Sequence, residues 1–181
     1  MKRLLFVSVL LLCAAVGSAQ VVKTMYATVN LTVSTAGAYS TGQVLGALDS
    51  VKFGGYNPGA KATILQSVTV VDTNAKAVNF DILFFTKKPT YGTYTMRSSM
   101  ALNGTDALYY IGKVVVGTAG YDTYSGVSID TESPVGLVIP PISYDANQNQ
   151  SLLYMITVAK GSGTYTVTRG VFVKLGFVQQ P

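Results

Sequence analysis

The amino-acid sequence predicts an all-β fold, a single antiparallel β-sandwich. Three observations carry that prediction. Apolar and polar residues alternate through several windows of strand length. β-Branched residues and 12 Tyr are spread along the chain, with 18 Gly to punctuate them. Nowhere does a sustained helical period occur with capping residues at both ends.

The elements follow in order. Met25, Ala27, Val29, Leu31 and Val33 alternate with Thr24, Tyr26, Thr28, Asn30 and Thr32, the pattern of a strand with one buried face. A short second strand is expected over 43–48, and the clearest loop is GGYNPG at 54–59. Residues 63–71 and 78–86 read as a strand pair joined across a polar turn. In the second of these, Val78, Phe80, Ile82 and Phe84 share a face. On the other face Asn79 and Asp81 give way to Leu83 and Phe85, so burial should deepen toward the end, before Lys87-Lys88-Pro89 stops the strand. Residues 91–100 read equally as strand or loop, and 105–107 could open one helical turn. A strand is expected at 113–116, a long Gly- and Tyr-rich connection over 117–130, and a strand at 135–139 that ends on Pro140-Pro141. Residues 145–150 are turn-like. Leu152, Tyr154, Ile156 and Val158 share a face, 164–168 follows a Gly-Ser-Gly turn, and Val171, Val173, Leu175 and Phe177 close the chain. About eight short strands in one domain of a 181-residue chain favour the jelly-roll version of the sandwich.

Residue usage excludes several chemistries. There is no His, and the single Cys, Cys13, lies in the apolar N-terminal stretch. Nucleophilic triads need a positioned base, most often His, and zinc sites draw on Cys and His. Eight carboxylates remain, but most fall in loops or at strand ends, where solvated or turn-forming Asp is the simpler reading. Asp122, Asp130 and Glu132 lack the dense spacing of a calcium loop. The sequence therefore points away from an enzyme, and no cofactor or metal is expected. The formal charge of +5 includes Lys2 and Arg3, and the other basic residues are scattered rather than striped, which argues against nucleic acid as a partner.

Residues 1–19 have the pattern of a secretory signal peptide. Lys2 and Arg3 lead, an apolar run follows, and Gly17-Ser18-Ala19 offers a small-residue exit. The run is too short for a membrane span, so none is expected after its removal. The sandwich domain is then 20–181. Tyrosines concentrate in the central third. Tyr91, Tyr94, Tyr121 and Tyr124 are candidate interface residues, because exposed Tyr anchors protein contacts; equally, Tyr suits strands and sits with one apolar and one polar end.

Several ordered segments carry a resemblance. They are AYSTGQVLG (38–46), LQSVTVVD (65–72), AVNFDILFFTKKP (77–89), DALYYIG (106–112) and the stretch 152–179 with its closing GVFVKLGFVQ. In order and spacing, over roughly residues 38–179, the chain resembles a family of small tailed-phage virion proteins. That resemblance implies a jelly-roll-like capsid decoration or head-fibre component located in the virion. Its partners would be capsid proteins and other copies of itself, a homo-oligomer such as a trimer, with no catalytic residues. The leader points to a different expectation: an exported surface or periplasmic sandwich that binds a glycan or protein through loops at one end.

Overall fold

A computed structural model describes residues 23–54, 63–117, 120–140, 144–145 and 150–179. The leader expected at 1–19 and most of the loop at 54–59 lie outside these residues.

Among the described residues, eleven strands form two antiparallel sheets. They are β1 (Lys23–Leu31), β2 (Asp49–Gly54), β3 (Thr63–Asp72), β4 (Phe80–Phe85), β5 (Tyr110–Val116), β6 (Asp122–Tyr124), β7 (Val127–Glu132), β8 (Leu137–Ile139), β9 (Tyr144–Asp145), β10 (Gln150–Ala159) and β11 (Val171–Gln179). A single helical turn, α1 (Gly104–Ala107), precedes β5. The six-stranded sheet runs β1-β11-β3-β7-β6, with β8 also on β3. The other runs β2-β10-β4-β5, with the two-residue β9 also on β10.

The pairings are nested. β1 pairs with β11, β2 with β10, β3 with β7 and β8, and β4 with β5. The chain is thus one long two-stranded ribbon rolled so that successive strands of each arm fall in opposite sheets, which is the jelly-roll arrangement. The expected all-β sandwich and its jelly-roll character are both present.

Alternation builds the core between the sheets. β1 contributes Met25, Ala27, Val29 and Leu31, and β11 contributes Val171, Val173, Leu175 and Phe177. Facing them are Val51 from β2, Phe80, Ile82 and Phe84 from β4, Val114 and Val116 from β5, and Leu153 and Met155 from β10. A fully buried side chain of this size stabilises the fold by about 1.5–3 kcal/mol. In β3 the phase changes. Leu65 points inward, then Val68 and Val70, because Gln66 is an extra residue opposite the Gly176–Phe177 step of β11. The freed Gln66 carbonyl accepts the Val135 N–H at 2.9 Å. This bulge also marks where β7 leaves β3 and β8 takes over the same edge. A Cβ at Gly176 would displace the Ser67 hydroxyl, and the Tyr26 ring lies against the same spot.

Four expectations need correction. The second strand is Asp49–Gly54, and 43–48 makes only isolated bridges. Residues 117–130 are no long connection, since β6 and most of β7 lie within them. There the usual pattern is inverted: Ser128 and Asp130 face inward while Ile129 is only half-buried. The segment 164–168 is not a strand; Tyr165 anchors it, buried edge-on to Tyr39 with ring centroids 6.0 Å apart. Finally, Asp72, Asp81, Asp106 and Asp130 are buried rather than solvated. The turn-forming part of that reading holds for Asp72, whose carboxylate accepts the N–H groups of Asn74, Lys76 and Ala77.

Candidate interface on the outer face of the five-stranded sheet

One outer face of this sandwich is not left to water. Leu83 and Phe85 of β4 and Tyr154, Ile156 and Val158 of β10 point away from the main core, and with Val44 they form a second apolar cluster. Phe85 and Ile156 are fully buried. The cover comes from Leu48 and from Tyr94 and Met100, which belong to the segment 86–109 between β4 and β5.

Backbone hydrogen bonds hold that segment down as a flap. Residues 43–45 bridge to β10, with Leu45 N–H donating to Thr157 and Ala159 N–H to Gln43, both at 2.8 Å. The flap then pairs onto residues 42–44: Val44 N–H donates to Ser98, Arg97 N–H to Val44 and Met100 N–H to Gly42, each at 2.9 Å. Arg97 adopts a left-handed φ of 66°, an uncommon backbone state for a side chain of this size. Its guanidinium lies over the Tyr39 ring and donates to the Gly37 carbonyl at 2.8 Å.

Asp106 ties the flap to itself. It sits in α1, whose first turn is capped by the Asn103 side chain accepting the Thr105 N–H at 2.8 Å. The Asp106 carboxylate is 1% exposed and accepts the N–H groups of Thr90 (3.0 Å), Tyr91 (2.9 Å) and Gly92 (2.8 Å). Burial by itself pushes this carboxyl up. The Tyr94 hydroxyl and the three backbone donors outweigh that and hold it below the usual carboxylate range. Tyr94 is correspondingly pushed up to about 12, by burial first and then by the neighbouring carboxylate. Gly92 permits the close approach, because a Cβ there would overlap the Ala101 carbonyl and the Tyr94 hydroxyl.

The braced flap turns apolar groups outward. Tyr91 is 68% exposed and Leu108 79%, with Leu102 also exposed, as is Tyr110 at the start of β5. Beyond it, on the same sheet face, Leu48, Ser50, Lys52, Lys88, Leu152 and Tyr154 line a shallow open groove of about 250 Å³. Lys87 stands beside it in sequence, its ammonium 4.7 Å from the centre of the Tyr109 ring.

The four tyrosines singled out by sequence fall into two places. Tyr91 and Tyr94 share the flap, but only Tyr91 faces solvent. Tyr121 and Tyr124 belong to the edge of the other sheet, where Tyr124 is exposed. Tyr121 packs against the main core, donates to the Val78 carbonyl at 3.0 Å, and is pushed up by burial and by the carboxylates of Asp130, Asp72 and Glu132. Asp130 of the weak calcium candidate is taken up by the Gly117 N–H at 2.6 Å. Sequence reasoning missed Asp106, Leu102, Leu108 and the lysine groove. The only sequence signal for the Asp106 brace was the possible helical turn at 105–107.

No family model matches the chain, and no curated protein matches it. Among solved structures it is weakly similar to viral capsid jelly-roll proteins. One is from black queen cell virus, with 9% identity, a TM-score of 0.26, and coverage of 89% of this chain and 68% of the other. Another is from sacbrood virus of honeybee in its expansion state II, with 8% identity, a TM-score of 0.25, and coverage of 90% and 82%. A third is the unassembled VP1 pentamer of KI polyomavirus, with 11% identity, a TM-score of 0.17, and coverage of 89% and 93%.

Proposed function

We propose that this chain is a non-enzymatic virion structural protein, a capsid decoration or head-fibre component that acts through protein–protein contacts and self-associates. One structural observation carries the reading. The jelly roll is filled between its sheets by buried side chains, and the flap on its outer face is braced by the Asp106 carboxylate while it turns Tyr91, Leu102 and Leu108 outward. Apolar groups held outward on a braced surface segment suit docking to another protein surface. The phage part of the reading rests on the resemblance of the ordered segments within 38–179 to small tailed-phage virion proteins.

Mass spectrometry of purified particles tests it: the chain should be present at tens of copies per particle. Its absence from particles that carry its gene overturns the reading. A second reading, an exported binding module, is favoured by the leader pattern of residues 1–19 alone. Portal and terminase genes beside this one would count against it, and a secretion operon would support it.

A further inference from the structure

We infer that the outer face of the six-stranded sheet is a two-fold interface between two copies of this chain. Lys174 of each copy meets Asp122 of the other, and Val71 of each packs on Ile129 of the other. This assigns a surface to the self-association proposed above and rests on that reading.

An antiparallel sheet with one solvated face alternates apolar residues inward and polar residues outward. In this sheet the inward residues fill the core, yet much of the outward set is apolar as well. It includes Phe172 and Val178 of β11, Ile64 and Val71 of β3, Ile129 of β7 and Val138 of β8, aligned by strand register. Tyr26, Tyr124 and Val138 are each more than half exposed. Among the described residues, the apolar cluster outside the main core lies on the other sheet, so no counterpart of the flap covers this one. A contiguous exposed patch of this kind marks an interaction surface.

The patch is complementary to itself. Its outward strand residues carry one cation, Lys174 of β11, and one carboxylate, Asp122 of β6. Both are exposed, and neither has an ion-pair partner among the described residues. The Lys174 ammonium lies 5.4 Å from the centre of the Tyr26 ring. β3 and β7 stand between β11 and β6, so the two charges are about 14 Å apart across the sheet, too far to pair within one copy. A two-fold axis lying in the interface along the gap between β3 and β7 exchanges β3 with β7, and β11 with β6, of the second copy. Val71 and Ile129 are opposed across that gap, as are Ile64 and Val138 where β8 takes over the edge. The axis therefore stacks Val71 on Ile129 of the second copy and Ile64 on Val138 of the second copy. Lys174 and Asp122 are offset by one outward row, about 7 Å, which a lysine stem spans. The strands of the two copies run nearly along one another, the aligned geometry of sheets packed face to face. Five strands across and about seven residues deep, the face offers about 600 Å² per copy, and the pair of about 1,200 Å² reaches the lower bound of stable specific interfaces.

Sedimentation velocity of the full chain over a range of concentrations tests the interface. A monomer–dimer equilibrium with a Kd on the order of 10 µM is expected. Ile129→Lys should weaken it about tenfold or more, and Lys174→Asp or Asp122→Lys alone about fivefold. The double exchange, Lys174→Asp with Asp122→Lys, should return the Kd to near that of the parent, a recovery that a folding defect would not give. Leu108→Ser, on the flap, should leave the equilibrium unchanged. A monomer at about 200 µM, trimers or larger species in place of dimers, full dimerisation of Ile129→Lys, no recovery in the double exchange, or loss of dimers in Leu108→Ser each overturns the proposal. Val138→Lys, at an exposed position, replaces Ile129→Lys if that variant does not give the β-sheet spectrum of the parent. Particle composition separates the two readings. A chain absent from particles that still forms this dimer sinks the virion assignment alone. A chain present in particles that stays monomeric, or that associates through another surface, sinks the sheet-face interface alone.

Discussion

The Tyr94 hydroxyl donates to Oδ2 of Asp106 across 2.5 Å, and this contact joins the two halves of the flap over the outer sheet face. The ring of Tyr94 lies in the apolar cluster with Phe85 and Ile156, while its hydroxyl reaches the carboxylate that also gathers three backbone N–H groups. Removing the hydroxyl alone should loosen the flap without unfolding the sandwich. In Tyr94→Phe, amide exchange at Thr90, Tyr91 and Gly92 should speed up several-fold, with β10 and β11 amides unaffected. Asp106→Asn should do more, because an amide cannot accept from all four donors with the strength of a charge. Unchanged exchange in both variants would show that the carboxylate does not brace the flap.

The two perturbed carboxyls predict opposite responses to acid. Asp106 is held below its ordinary value, so its contribution is fully present above about pH 4 and is lost as pH falls through the lowered folded-state value. Asp49 is pushed up to about 6 by burial, and its Oδ2 has no hydrogen-bond partner among the described residues. Its charged form therefore destabilises the fold above that pH, and protonation relieves the cost as pH falls from about 6 toward 4. The full linkage of that displacement is about 3 kcal/mol, which solvent screening of a partly exposed group cuts to about 1 kcal/mol. Urea midpoints should rise from pH 7 to pH 5 and fall again below pH 4. Asp49→Asn should flatten the upper limb only; a slope that survives the substitution would assign it elsewhere.

Phe85 tests whether the outer face is a genuine second core. In a sandwich with a solvated outer face, truncating an outward residue changes stability by no more than about 0.5 kcal/mol. Phe85 is fully buried beneath the flap, so Phe85→Ala should cost about 3–5 kcal/mol, as much as an inward Phe such as Phe84. Chemical denaturation of the two variants side by side decides it.

The pattern of burial also explains what could be read from sequence. β1 and β11 alternate because each packs one apolar face against the opposite sheet, whereas β4 and β10 are apolar on both faces, and the gain of apolar character at Leu83 and Phe85 is the sequence sign of the covered outer face. β7 was hidden because its inward residues are Ser128 and Asp130, whose burial depends on hydrogen bonds such as that from Gly117. A hydropathy pattern does not register a buried carboxylate satisfied by backbone donors. β2 was placed too early for a related reason: in Asp49–Gly54 only Val51 is an inward aliphatic, while QVLGAL just before it looks more strand-like. The brace itself was illegible, since Asp106 meets residues 12 to 16 positions away only once the flap has folded back.

Gly92 offers the sharpest test of that long-range closure. Its N–H points at Asp106, and the space a side chain would need is filled by the Ala101 carbonyl and the Tyr94 hydroxyl. Gly92→Ala must therefore push apart the Thr93–Ala101 bridge or expel the Tyr94 hydroxyl from the carboxylate, at a cost of about 1–3 kcal/mol. By contrast, Tyr91→Ser, one residue away and facing solvent, should leave stability within about 0.5 kcal/mol. The same pair separates structure from docking. Tyr91→Ser should weaken attachment to particles while the urea midpoint stays put, whereas Gly92→Ala should lower both. Loss of stability in Tyr91→Ser would place that ring in the fold rather than at an interface, and normal attachment by both variants would remove the flap from the docking surface.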